Sequence, residues 1–176
     1  MAAEITPKLT MGELLQLYPG AQRVLFARWH VGGCSSCGFS PEQTLEQVLG
    51  SKGVTDLEGA AQELRAAREL ERRLLLPPSE LAKTLKNGGV KPVDLRPEAE
   101  RRIAVIEGDV AADEKLVDEI FDEWPKDRTF VLYCHRGEHA LAAASNLYEQ
   151  GFVNVRALEG GIDAWSEQID PLLPRY

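Results

Sequence analysis

Residues 131–140 read Val131-Leu132-Tyr133-Cys134-His135-Arg136-Gly137-Glu138-His139-Ala140, and no other stretch limits the fold as tightly. Three apolar residues run into a cysteine. A short polar loop with one glycine follows, and the alanine-rich residues 140–146 are then expected to be helix. The order strand, loop, helix puts a thiol where a strand ends and a helix begins. In an open parallel sheet, ligands bind beyond the carboxyl ends of the strands. A helix N-terminus at that place presents unpaired N–H groups to an anion. Cys134 is therefore the candidate nucleophile.

The flanking sequence repeats the alternation. Residues 80–86 predict a short helix capped by Ser79 and closed by Asn87-Gly88-Gly89. Val93-Asp94-Leu95 reads as a buried strand that ends in the charged pair Asp94 and Arg96, taken as support or rim. A helical turn is expected over 98–102, and Ile103-Ala104-Val105-Ile106 is a second apolar run. Leu116, Ile120 and Phe121 mark the face of a helix ending at Trp124-Pro125. The central strand is expected over 129–133, the helix after the loop over 140–150 and a further strand over 153–157. The last helix opens at Gly160-Gly161. Strands alternating with helices predict a parallel α/β sheet flanked by helices.

The first half reads as helix throughout. Thr10 and Glu13 have capping-box spacing before Leu14, Leu15, Leu17 and Tyr18, and Pro19-Gly20 breaks that helix. A second is expected over 21–29, burying Val24 and Leu25 with Phe26 or Trp29. Residues 30–39 form a loop by composition and contain Cys34 and Cys37. Ser40-Pro41 restarts a helix, with serine as cap and proline at its first position, and Leu45, Val48 and Leu49 give it an apolar face. Asp56 caps a longer helix running through Leu75 to the stop at Pro77-Pro78. The expected organisation is a small all-α domain over 1–76 and an α/β domain over 79–176, with no internal repeat. So small a helical core is marginal alone, and it is expected to dock or to form a homodimer.

Composition narrows the function. A formal net charge of −8 at pH 7 argues against nucleic acid or an anionic membrane surface as partner, because both need a basic footprint. No stretch reaches the roughly 18 apolar residues of a membrane span, and residues 1–5 lack the pattern of a secretory signal. A cytoplasmic location is the expectation. The 3 cysteines fit reduced thiols that do chemistry better than a disulfide scaffold.

Three motifs occur in order across the second half: Val93-Asp94-Leu95-Arg96, the six residues from Cys134 to His139 with glycine fourth, and Gly160-Gly161-Ile162-Asp163-Ala164-Trp165. Together they resemble the rhodanese domain, a sulfurtransferase module. The ending through Asp170-Pro171 to Pro174-Arg175-Tyr176 is similar to a bacterial subgroup often fused to other modules. The resemblance implies a rhodanese-like fold, no cofactor or resident metal, and a Cys134 persulfide formed from thiosulfate or a persulfide donor and passed to a thiol acceptor, a protein thiol among the candidates. It implies that His135, Arg136, Gly137, Glu138, His139 and Ala140 bind the substrate. The thiolate is the attacking species, so loop N–H groups and the helix N-terminus must favour the anion. A Glu138 carboxylate lining the pocket would repel thiosulfate and favour a persulfide donor.

The first half, over residues 9–62, resembles a small helical redox-disulfide domain found beside hybrid-cluster proteins, on its Leu-Leu-x-x-Tyr-Pro start, its Cys-x-x-Cys and the following Phe-Ser-Pro-Glu-Gln-Thr-Leu. Cys34 and Cys37 are read as a redox pair, with a helix at Ser40-Pro41 near enough to stabilise one thiolate. Two alternatives stand beside it: a metal shared between two chains, with His30 as a substitute ligand, and a structural role. Two function classes follow. One is a sulfurtransferase, its persulfide coupled to the Cys34/Cys37 dithiol. The other is a redox or metal-sensing module that uses the α/β fold as an interaction platform.

Overall fold

A computed structural model describes residues 4–32 and 38–176. The chain divides into two compact units, residues 1–70 and 71–176.

In the first unit α1 (Met11–Leu17) opens with Thr10 as cap, its side chain bonded to the Glu13 N–H and the Glu13 carboxylate returning to Thr10, as the sequence predicts. That carboxyl is held below its usual range by these bonds to Thr10. Next comes α2 (Ala21–Trp29), which buries Leu25 and packs Val24 and Trp29 against the core, so that of the two aromatic alternatives it is Phe26 that stays half exposed. The helix expected at Ser40-Pro41 begins later. Residues 40–43 form a turn in which the Gln43 side chain accepts from the Ser40 N–H. The helix α3 (Leu45–Ser51) starts after Thr44, which makes a second capping box with Gln47. Ser40 and Thr44 each have a glutamine three residues on, and the bridge between Thr44 and Thr10 favours the threonine. Asp56 accepts from the Gly59 N–H at the start of α4 (Leu57–Leu74), as expected.

The expectation of no internal repeat is also corrected. Thr6-Pro7-Lys8-Leu9-Thr10-Met11-Gly12-Glu13-Leu14-Leu15 and Ser40-Pro41-Glu42-Gln43-Thr44-Leu45-Glu46-Gln47-Val48-Leu49 share one pattern and one local structure: a turn, a capping threonine and a helix. The two copies pair around an antiparallel bridge between Thr10 and Thr44. Their bonds come in matched sets: Met11 N–H to Gln43 C=O at 2.8 Å with Leu45 N–H to Leu9 C=O at 2.8 Å, and Gly12 N–H to Pro41 C=O at 2.9 Å with Glu46 N–H to Pro7 C=O at 2.9 Å. Helical N–H groups that lack intrahelical partners are thus satisfied by the other copy. The core beneath them includes Ile5, Met11, Leu14, Leu25, Leu45, Leu49 and Leu64.

The second unit holds a five-stranded parallel sheet in the order β1 (Leu75–Leu76), β5 (Val155–Leu158), β4 (Phe130–Tyr133), β2 (Lys91–Asp94), β3 (Val110–Ala111). Leu75 is therefore strand and not helix. A leucine-rich run does not by itself distinguish the two, and pairing with Ala157 and Leu158 decides it. Helices α5 (Pro78–Lys86), α6 (Glu98–Arg101), α7 (Glu114–Asp122), α8 (Glu138–Glu149) and α9 (Gly161–Gln168) join the strands. Pro77 takes the cap position expected of Ser79. The Ile103-Ala104-Val105-Ile106 run lies outside any strand, with Ala104 and Ile106 buried and Ile103 and Val105 exposed.

All four residues of β4 are buried, since helices cover both faces of a parallel sheet. Val131 and Tyr133 join Leu81 of α5 and Ile162 and Trp165 of α9 in one core. On the other side Phe130 packs edge-on against Trp124, 5.0 Å between ring centres, and Phe152, 5.9 Å. Phe121, expected in the helix face, is partly exposed beside Phe152. From β2 the chain goes outward to β3. From β4 it goes the opposite way to β5. The crevice between the ends of β2 and β4 is where such sheets place ligands. Among the described residues, no helix is long and apolar enough to cross a membrane.

Candidate active site

Cys134 follows β4 directly and is 5% exposed. The chain turns back at Gly137, whose φ of 93° is left-handed and suits glycine. The Gly137 N–H donates to Cys134 Sγ at 3.2 Å. From Glu138 onward the chain is helix, so α8 starts two residues before the expected Ala140. Glu138 and His139 are thus exposed residues of its first turn, and Ala140 is buried below them. Arg136 is exposed and His135 half-buried. Water screens an exposed Glu138 carboxylate, so the repulsion of thiosulfate that follows from a carboxylate lining the pocket does not arise.

A second element clamps the loop. The first N–H groups of α9 are spent on it: Ile162 donates to the Cys134 carbonyl at 3.0 Å and Asp163 to the His135 carbonyl at 3.1 Å. This explains Gly160-Gly161 physically. Gly161 has φ +61°, and a Cβ built there would fall on the Cys134 and His135 carbonyl oxygens. A Cβ on Gly137 would come within 3.0 Å of the Leu158 carbonyl and 3.1 Å of the Gly160 nitrogen. Backbone meets backbone here, leaving no room for side chains.

Behind the loop lies a buried charge network. Asp94 accepts from Arg96 Nε at 2.9 Å, Arg96 Nη2 at 2.6 Å and Arg101 Nη1 at 2.9 Å. Arg101 bridges to Asp109 at 2.7 Å, and Tyr133, the residue before Cys134, donates its hydroxyl to the same carboxylate. Burial, then the Asp109 bond, pushes the Tyr133 phenol far above its ordinary range, so it remains a donor. Burial works against the Arg96 charge, but the Asp94 bonds outweigh it and the guanidinium stays protonated. Asp94 and Arg96 are thus internal supports, and neither lies on a rim.

Two residues with no predicted role touch the loop or its clamp. Tyr176 stacks on the His135 ring, 4.3 Å between centres with planes 14° apart. Its hydroxyl accepts from Arg96 at 2.6 Å and donates to Glu100 at 2.9 Å. Partial burial raises the phenol above its ordinary range. Arg175 grips Asp163 and Glu167. Arg175 and Tyr176 belong to the ending quoted above, but their pairings are not legible there, because the partners lie 8 to 80 residues away. Cys34 and Cys37 lie outside the described residues.

Residues 77–168, just over half the chain, match the rhodanese-like domain family. A sulfurtransferase of Allochromatium vinosum is 35% identical over 81 residues, covering 46% of this chain and 76% of its own length. The thiosulfate sulfurtransferase GlpE of Pseudomonas fluorescens is 30% identical over 88 residues, covering 50% of this chain and 81% of its own. The adenylyltransferase and sulfurtransferase UBA4 of Lodderomyces elongisporus is 28% identical over 171 residues; the alignment covers 90% of this chain, which spans only 38% of that longer protein. With the parallel sheet, the cysteine after its central strand and the Gly-Gly clamp already in place, this match assigns the chain to the rhodanese-like domain family.

Proposed function

We propose that the protein is a sulfurtransferase in which Cys134 carries the sulfur as a persulfide. The observation that carries this reading is the aim of the Gly137 N–H at Cys134 Sγ, at the sheet's switch point. Such a bond strengthens when the sulfur is an anion. The relatives named as sulfurtransferases support the same reading.

The Cys134 thiolate attacks the outer sulfur of thiosulfate or of a small persulfide. The donor's S–S bond breaks, and sulfite or the donor thiolate leaves with the electron pair. A thiolate acceptor then attacks the terminal sulfur of the Cys134 persulfide, forms its own persulfide and returns Cys134 as thiolate. Loop N–H groups at 135–140 hold the anionic sulfur throughout, and Arg136 and His135 face the donor. Intact-mass measurement after incubation with thiosulfate, and separately with an organic persulfide, is expected to show one added sulfur that peptide mapping places on Cys134. An unmodified Cys134 with both donors would overturn the reading.

The Cys-x-x-Cys supplies an internal acceptor. Cys34 or Cys37 takes the terminal sulfur, and the second thiolate displaces it as sulfide, closing a disulfide with the two electrons of the dithiol. An external thiol reductant must then reopen it. Replacing both cysteines by serine is expected to slow sulfide release from the preloaded protein, read with a sulfide probe in the absence of added acceptor. Equal release by the two proteins would remove the coupling.

A further inference from the structure

The loop carries a guanidinium that the surrounding structure leaves free. Arg136 is exposed and makes no ion pair or hydrogen bond among the described residues, although Asp163 lies close by, its N–H bonded to the His135 carbonyl. The reason is Arg175. Its Nε reaches Asp163 Oδ1 at 2.8 Å, its Nη2 reaches Asp163 Oδ2 at 3.0 Å, and its Nη1 reaches Glu167 Oε1 at 3.0 Å. Both Asp163 oxygens are thereby engaged and the carboxylate is turned to Arg175, in the two-pronged geometry arginine offers. The residue that follows, Tyr176, is fixed on His135 and Arg96, so Arg175 is anchored from the site side.

We propose that Arg175 is a specificity-determining residue: by holding Asp163 and Glu167 it keeps Arg136 and His135 available to a small anionic sulfur donor of the thiosulfate class. This rests on the reading of Cys134 as the sulfur carrier. The Asp163 carboxyl is held below its usual range mainly by the Arg175 bond, with smaller contributions from the charges of His135 and Arg136, which places all four groups in one electrostatic neighbourhood. Without Arg175, the Asp163 carboxylate turns to the loop cations and the wall beside the donor gains a negative charge. Such a change acts on the encounter with a charged donor and leaves the bond-breaking atoms alone.

The test is steady-state transfer from thiosulfate to cyanide by wild type, Arg175→Gln, Arg175→Lys, Asp163→Asn and the Arg175→Gln/Asp163→Asn double variant. Arg175→Gln is expected to raise KM for thiosulfate roughly three- to tenfold with kcat nearly unchanged, about the effect of one charge near a protein surface. Arg175→Lys keeps much of the wild-type KM, Asp163→Asn in the double variant restores it, and high salt shrinks the difference. A fall in kcat at unchanged KM, or a double variant no better than Arg175→Gln, would show that Arg175 only straps the chain down and would overturn the proposal. Failure of wild type itself to take sulfur onto Cys134 would remove the carrier reading and this inference with it. Sulfur loading with an unaltered KM removes this inference alone.

Discussion

Gly161→Ala is expected to destabilise the sheet-bearing unit by about 3 kcal/mol and to slow sulfur loading at Cys134 by ~100-fold or more. Two separate costs add. At φ +61° an alanine sits in the left-handed region, and its methyl would also occupy the space of two carbonyl oxygens that accept from Ile162 and Asp163. Relief requires the loop to move off α9, and Cys134 moves with it. Gly151→Ala isolates the first cost: its φ is 97°, and the atom nearest an added Cβ is the Lys126 side chain at 4.0 Å. Urea unfolding should place Gly151→Ala about 1 kcal/mol below wild type with loading intact. If both variants lose the same stability and load sulfur equally, the clamp has no bearing on the site.

Asp94→Ala is expected to cost about 3–5 kcal/mol, because removing one partner of a buried ion group strands the others. Asp94 is fully buried and is the shared acceptor of Arg96 and Arg101. Arg96 would lose its carboxylate partner while buried, and Arg101 would keep only its pairs with Asp109 and Glu98. Arg96 also holds the Tyr176 hydroxyl, so the stack on His135 should loosen as well. Urea unfolding measures the loss, and a buried network predicts that added salt restores little of it. A loss under 1 kcal/mol would mean that the network is not a support.

The central strand, the loop and the helix after it were legible in the sequence because hydrophobicity and alanine content switch sharply around Cys134. Val93-Asp94-Leu95 was legible for the same reason. Boundaries went astray where polar residues open a helix, as at Glu138 and His139, and where an apolar run was too short to show its period, as at Leu75–Leu76. The Ser40-Pro41 error was of another kind: two caps lay four residues apart, and only pairing with the Thr10 copy decides between them. Tyr133 was read as strand core, yet its hydroxyl ties the strand end to Asp109. Tyr176 and Arg175 act across long separations, which no local pattern encodes. The glycine pair was visible as a motif, but its reason, two backbones in contact, is a property of three dimensions.

The position of β1 bears on the order of assembly. Among the described residues its one partner in the sheet is β5, the last of their strands. During synthesis Leu75–Leu76 emerges first and must wait, unpaired, until nearly the whole unit has followed. The strands β2, β3 and β4 can meet earlier, over shorter loops with smaller closure entropy. The outer edge is thus first made and last placed, and its docking coincides with arrival of Gly160-Gly161, the residues that pin the cysteine loop. Closing the sheet at this edge and pinning the cysteine loop thus both depend on the chain from Val155 to Gly161.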